Sequence, residues 1–275
     1  MKKWFIDTAT SVWQHIPARV IRECMWNAFL WYVRGRKVVT TVDQITFDLD
    51  LSELIDVCLY VNRFEKDVTS AINILCQRDW VVLDIGAHSL RFAWLVGNGG
   101  KVYAFEPTNY AFKKLQRNVA LNKFTNLHLY QVALSNQSQP LQKISYRASW
   151  KTNGSQTQES SVVDFIRLDD WAAQQSLSKL DFIKIDVDGN EYAVFDGARE
   201  LLRKFKPILI AEVGAYHFAD SSTNPWQIIA DLEYRFWDVH TGKEYGSLAA
   251  MREVLKGEDT INVIASTKEL SVVWR

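Results

Sequence analysis

Two short stretches of the chain set acids where apolar runs end. In Val81-Val82-Leu83-Asp84-Ile85-Gly86-Ala87-His88 the run closes on an acid and a turn of small residues. If the run is a central strand of a parallel sheet, its carboxyl end is where open α/β sheets bind ligands. A glycine at that point lets the backbone approach a ligand closely and lets the next helix begin without a Cβ clash. About twenty residues on, a second run ends in Phe105-Glu106-Pro107, and a carboxylate there can take both hydroxyls of a ribose. An Asp-x-Gly alone is common in turns; followed by the second acid it points to a nucleoside site.

A third stretch, Asp181-Phe182-Ile183-Lys184-Ile185-Asp186-Val187-Asp188-Gly189, mixes charge into an apolar strand pattern. Alternation puts Lys184, Asp186 and Asp188 on one face and Ile183, Ile185 and Val187 on the other. Burying three ionisable groups is expensive unless they are paired or line a cleft. One reading is a Lys184–Asp186 ion pair with Asp188 at the surface. The favoured one is a reacting site in which Asp186 and Asp188 are the first candidates for a general base and Lys184 orients Asp186 or an acceptor. His217, in Gly-Ala-Tyr-His-Phe, has the better intrinsic pKa and ranks third. Trp150, Tyr216 and Trp226 are candidates to stack on a sugar ring or to pack in the core. No third metal ligand stands at convincing spacing from Asp186 and Asp188, so no metal site is expected.

The elements that must position these residues are legible as short apolar runs alternating with helical patterns from Val81 onward, the signature of a parallel sheet with helices on both faces. The expected strands are Val81–Ile85, Lys101–Phe105, Leu127–Val132, Asp181–Val187 and Pro207–Glu212. Tyr234–Val239 and Thr260–Ser266 have no long helix between them and are expected to form an antiparallel hairpin at the sheet edge. Residues Lys151–Ser161 (KTNGSQTQESS) show no apolar period and read as a floppy connection or a lid. Ahead of the sheet, Val38–Leu51 alternates as strands do and Val57–Leu75 reads helical. The expected division is a cap over residues 1–76 and a catalytic domain over 77–275.

Hydrophobic residues are 48% and charged residues 23% of the 275, a globular balance that excludes a disordered chain. Thirty-two basic and 32 acidic residues cancel, so a nucleic-acid partner is not expected for the chain as a whole. The longest near-continuous apolar run, Ala28–Val33, is far short of the roughly 18 residues of a membrane-spanning helix. Cys24, Cys58 and Cys76 match neither a disulfide framework nor a zinc spacing, so a reducing, cytoplasmic setting is expected. Residues 1–37 hold seven Lys/Arg against two acids, a local balance of +5. Ile21, Met25, Ala28 and Tyr32 share one helical face there, and Trp4, Trp13, Trp26 and Trp31 add amphipathic rings. The helix is expected to dock on the catalytic domain or a dimer partner; the alternative is peripheral contact with the inner face of an anionic membrane.

Taken together, VVLDIGAH, KVYAFEP, NVALN, YQVALSN, IRLDDW, FIKIDVDGNEYAVFDGA and ILIAEV, in this order from about Glu65 to Glu212, resemble the FkbM-type S-adenosylmethionine-dependent methyltransferases. The resemblance implies an α/β, Rossmann-like, seven-stranded methyltransferase sheet behind the helical and stranded cap. It further implies S-adenosylmethionine as cofactor, with Glu106 and Pro107 at the ribose, the turn of Asp84, Gly86, Ala87 and His88 under the methionine part, and Val132 and Ala133 near adenine. The activities it implies are O-methylations of a small-molecule or glycan hydroxyl, on a sugar, glycolipid or polyketide-like acceptor, generally without a metal. One departure stands out: the family turn continues Gly-Ala-Asn-x-Gly, whereas this chain reads Gly86-Ala87-His88-Ser89-Leu90. Either Leu90 replaces the glycine, or about one helical turn has been deleted and the facing of the next helix kept. A silent relative that retains the fold as a binding or membrane-associated module is the alternative this departure raises. A nicotinamide-dependent oxidoreductase would share the acid but should carry G-x-G-x-x-G, which is absent.

Overall fold

The apolar runs read as strands lie side by side in one eight-stranded sheet of the computed structural model, which describes residues 19–86, 90–187, 189–256 and 260–270. Helix α1 (Arg19–Val33), strands β1 (Lys37–Val42) and β2 (Ile45–Asp50), and helices α2 (Leu54–Tyr60) and α3 (Lys66–Leu75) come first. The sheet then begins with β3 (Val81–Ile85), α4 (Arg91–Val96), β4 (Lys101–Phe105), α5 (Asn109–Asn122) and β5 (Leu127–Tyr130). A side sheet follows, built from β6 (Val132–Leu134), β7 (Gln139–Trp150) and β8 (Gln156–Ile166), and leads into α6 (Leu168–Gln174). The chain re-enters the main sheet with β9 (Phe182–Ile185), α7 (Glu191–Asp196), α8 (Arg199–Phe205) and β10 (Ile208–Gly214). It ends with α9 (Pro225–Asp231), β11 (Arg235–Asp238), β12 (Glu244–Tyr245), α10 (Leu248–Val254) and β13 (Thr260–Ser266).

The strand order is β12-β11-β13-β10-β9-β3-β4-β5, with β10, β9, β3, β4 and β5 parallel. The eighth strand is the two-residue β12, beyond the seven expected. Tyr234–Val239 and Thr260–Ser266 pair antiparallel as expected, but not as an edge hairpin: β13 inserts between β10 and β11, and β12 takes the edge.

Successive side chains of the central strands point to opposite faces and divide the core in two. Leu83, Ile85, Tyr103, Phe105, Ile183 and Ile185 face one apolar cluster. Val82, Val102, Ala104 and Phe182 face another, which also contains Leu30, Val33, Ile45, Phe47, Leu49 and Leu51 from the leading segment. Strands buried on both faces become near-continuous apolar runs, which is why β3, β4 and β9 were readable.

The leading segment is fastened to the sheet by polar contacts as well. The β2 backbone N–H groups of Thr46, Asp48 and Asp50 donate to Asn122 Oδ1 (2.7 Å), Asn118 Oδ1 (2.8 Å) and Asp56 Oδ2 (2.7 Å). Asp56 is fully buried, and Lys114 Nζ reaches its Oδ1 at 2.5 Å and Glu53 Oε2 at 2.9 Å. Tyr110 also donates its hydroxyl to Glu53.

Residues Lys151–Ser161 are neither a floppy connection nor a free lid. Gln156 onward is strand β8, paired antiparallel with β7. Its tip is pinned by Lys151 Nζ to Glu53 Oε1 (3.1 Å) and by the Thr152 N–H to the Ser52 carbonyl (2.9 Å). A strand whose partner is its sequence neighbour is carried by backbone hydrogen bonds, and with a half-solvated surface it needs little apolar periodicity.

In α1 the face that packs inward is Trp26, Phe29, Leu30 and Val33, whereas Met25, Ala28 and Tyr32 of the expected stripe point to solvent. The helix carries two overlapping apolar stripes, and the sequence period does not tell which one docks. Residues 1–18, with Trp4 and Trp13, lie outside the described residues.

Asp56→Ala should destabilise the protein by about 2 kcal/mol in urea unfolding, because it removes one of the two carboxylates on the part-buried Lys114 ammonium and leaves the Asp50 N–H without its acceptor. A loss under about 1 kcal/mol would mean that Glu53 alone satisfies Lys114.

Candidate functional site

The carboxyl ends of β3, β4 and β9 meet at Gly86. Its φ of +82° is one that L side chains rarely adopt, and a Cβ there would lie 1.8 Å from the Asp186 carbonyl oxygen. The Gly86 N–H donates to the Phe105 carbonyl (2.9 Å) and the Asp186 N–H to the Ile85 carbonyl (3.0 Å). Only glycine lets these backbones converge so closely.

Asp84 and Lys184 are register partners on adjacent parallel strands, both buried on the face covered by the leading segment. Lys184 Nζ lies 3.1 Å from Asp186 Oδ2 and 3.9 Å from Glu65 Oε2. Burial pulls its pKa down, but the carboxylates of Asp186, Glu65 and Asp84 more than offset this and hold it above the ordinary lysine value. Neither oxygen of Asp84 has a hydrogen-bond partner among the described residues. Burial pushes its pKa up to about 7, against the opposing pull of Lys184. Glu65 is raised as well, by burial first, with Asp186 and Glu212 adding to it and Lys184 opposing.

Glu106 closes β4 and is buried; its Oε1 accepts from the Thr108 N–H (2.7 Å) and the Thr108 hydroxyl (2.6 Å). Thr108 also caps α5 by accepting from the Ala111 N–H (3.3 Å), so the carboxylate is aimed by a helix start. Pro107 is half-buried beside it. Val132 and Ala133 belong to β6 in the side sheet, with Ala133 buried. Ala87, His88, Ser89 and Asp188 lie outside the described residues, and with them the two readings of the turn after Gly86.

The Lys184–Asp186 ion pair foreseen as the blander reading is present, and it stands at the carboxyl end of β9. His217 is differently placed. Its Nδ1 accepts the Gly214 N–H (3.1 Å), which leaves Nε2 to carry the proton and donate to Glu191 Oε2 (2.8 Å). Both side chains are buried, and Glu191 Oε1 accepts the Gly189 N–H (3.3 Å). With both ring nitrogens engaged, His217 braces the segment after β9 against the segment after β10. Trp226 is fully buried in the core, which removes it from the stacking candidates; Tyr216 is 49% exposed, with its ring 4.3 Å from that of His217.

Two acids here escaped the sequence reading. Glu65 precedes α3 in a left-handed conformation with φ 39°, and nothing in its sequence neighbourhood aims it at a strand more than a hundred residues away. Glu212, near the end of β10, accepts from the Thr260 hydroxyl (2.7 Å). An acid closing an apolar run is the signal that singled out Glu106, and it could have found Glu212 too.

Comparison with known proteins places this site in context. Residues 84–236 match the family model described as the methyltransferase FkbM domain. The 2-O-methyltransferase NoeI of Sinorhizobium fredii is 27% identical, over 48% of this chain and 63% of its own length. The chain therefore spans under two thirds of that relative. Among solved structures, a methyltransferase FkbM from Methylobacillus flagellatus is 17% identical with a TM-score of 0.44, covering 90% of this chain and 59% of the other. M. jannaschii TYW2 in complex with AdoMet is 13% identical with a TM-score of 0.43, covering 84% of each chain.

Gly86→Ala should lower the melting temperature markedly, because the new Cβ meets backbone that cannot yield; an unchanged melting curve would show that the β3 and β9 ends can separate. For Asp84 the sign follows from a folded pKa raised above the unfolded value. Between about pH 4 and pH 7 the unfolded chain ionises first, so this group's contribution to stability falls as pH rises through that window. Asp84→Asn should flatten that part of the stability–pH profile, and an unaltered slope would remove Asp84 as its source.

Proposed function

Because the chain belongs to the FkbM methyltransferase family, we propose that it transfers a methyl group from S-adenosylmethionine to a hydroxyl oxygen of a sugar, glycolipid or polyketide-like acceptor. The observation that carries the reading is the convergence of three strand ends: Gly86 with no Cβ, Glu106 oriented by Thr108, and the Lys184–Asp186 pair beside them. The resemblance of residues 84–236 to methyltransferases and the 2-O-methyltransferase activity of the NoeI relative support methyl transfer to oxygen.

The described residues fit the cofactor. Gly86 carries no Cβ and so lets the β3 and β9 ends close against each other at the turn, Glu106 offers a carboxylate for ribose hydroxyls, and Asp84 is a buried acid without a hydrogen-bond partner among them. Asp84, Gly86, Glu106 and Pro107, with Ala87, His88, Val132 and Ala133, would hold it. When bound, the cofactor supplies an electrophilic methyl on a sulfonium.

This chain's residues must then place a hydroxyl in line with that methyl and take its proton. Asp186 is the base in this reading, with Lys184 fixing one carboxylate oxygen at 3.1 Å and leaving orientation rather than basicity as the main requirement. A hydroxyl becomes strongly acidic as its oxygen gains a carbon bond, so an ordinary carboxylate in hydrogen-bond reach suffices. The proton passes from the acceptor hydroxyl to Asp186. Asp188 follows two residues later in the same segment and is the alternate base. His217, with both nitrogens held, serves by fixing Gly214 directly and Gly189 through Glu191. The carboxylates of Glu65, Asp186 and Glu212 leave this end of the sheet rich in negative charge and suit a neutral, polyhydroxylated acceptor better than an anionic one.

Thermal unfolding with S-adenosylmethionine should show a stabilising shift of several degrees at about a hundred times Kd. Glu106→Gln should weaken the affinity measured by calorimetry about ten- to a hundredfold, as loss of a charge-assisted hydrogen bond does, and leave the unliganded melting temperature nearly unchanged. Unaltered affinity would overturn the ribose assignment, and no binding by the native chain would favour a fold kept without its cofactor.

A further inference from the structure

We propose that the outward face of α1 seats this protein on the surface of an anionic lipid bilayer. At about 100° per residue, Cys24, Met25, Ala28, Trp31 and Tyr32 fall within an arc of roughly 120°. That arc lies across the helix from the docked stripe of Trp26, Phe29, Leu30 and Val33. All five of these residues are solvent-exposed; Trp31 is 80%, Tyr32 47% and Met25 45% exposed. The same helix is therefore anchored to the core by one apolar stripe and presents a second to solvent. A surface helix normally turns a polar face outward, and an exposed Trp beside Met and Tyr is costly in water unless something covers it.

Charge decides between the occupants. The stripe runs into Arg34, Arg36 and Lys37, all exposed, and the Arg36 guanidinium lies 4.2 Å from the centre of the Tyr32 ring. Residues 1–37 carry a balance of +5 while the remaining chain carries −5, so positive charge is concentrated at this end. Two copies joined through the same face about a two-fold axis would bring these cationic rims together. An anionic lipid surface meets the same cations favourably, at interfacial depth where Trp and Tyr rings settle and Arg and Lys side chains reach phosphates. The residues that precede α1 add Lys2, Lys3, Trp4, Phe5 and Trp13, a composition of the same kind. The helix lies on the surface and does not cross it: among the described residues no helix is long and apolar enough to span a membrane.

The test is co-sedimentation of the full chain with vesicles of phosphatidylcholine containing roughly one third phosphatidylglycerol, beside pure phosphatidylcholine vesicles. The native chain should sediment with the anionic vesicles and be released as salt shortens the Debye length to a few ångströms. The double substitution M25E/W31E, at two exposed positions, should weaken partitioning at least about tenfold with an unchanged melting temperature. The substitution R34Q/R36Q/K37Q should weaken binding to the anionic vesicles, and it serves alone should the first variant fail to fold. The proposal is overturned if the native chain stays in the supernatant, if both variants bind as the native chain does, or if light scattering finds a native dimer that M25E/W31E dissolves. It is equally overturned if removal of residues 2–18 alone abolishes binding and both variants are inert.

Discussion

An ammonium group in the middle of a parallel sheet is the constraint around which the rest is arranged. Lys184 stands one strand from Asp84, on the face that the leading segment covers, where an unpaired charge would cost several kcal/mol. The structure answers with carboxylates drawn from separate parts of the chain: Asp186 from the same strand end, Asp84 from β3 and Glu65 from the start of α3. The leading segment is therefore no passive cover, because through Glu65 it contributes a charge to the centre of the sheet. Too little negative charge would leave Lys184 uncompensated; burial first, and the neighbouring carboxylates second, raise Asp84 and Glu65. A site able to move a proton is a natural by-product of such a balance.

A second, separate charge cluster ties the outer parts together. Glu53 receives Tyr110 and Lys114 from α5 and Lys151 from the hairpin tip, so one buried carboxylate connects leading segment, helix and side sheet. Helix α5 is also the element whose first turn orients Glu106 through Thr108. Glu106 and the leading segment are thus held by the same helix.

Much of the fold could be read from residue order because the central strands are buried on both faces. Val81–Ile85, Lys101–Phe105 and Thr260–Ser266 occupy the spans expected of them. Asp84, Gly86, Glu106, Lys184 and Asp186 were singled out because acids and glycine at strand ends are costly without a purpose. The hairpin of Gln156–Ile166 was not legible, since Thr, Gln and Ser carry no apolar period and the partner strand declares itself only on folding. Glu65 was hidden for a related reason: its role depends on a contact across more than a hundred residues. His217 looked like a base until its two partners were visible, and in α1 two stripes competed for one core.

The side-chain ladder on β2 has a consequence for behaviour at high concentration. A two-stranded ribbon at the margin of a domain ordinarily offers a row of unsatisfied donors that can template a strand from another molecule. Here Asn122, Asn118 and Asp56 occupy the donors of Thr46, Asp48 and Asp50 at every second residue. Helix α5, together with Asp56 of α2, thereby acts as a dummy strand. It blocks β-augmentation along that margin and guards against fibrillar self-association without spending a proline or a bulge on the task.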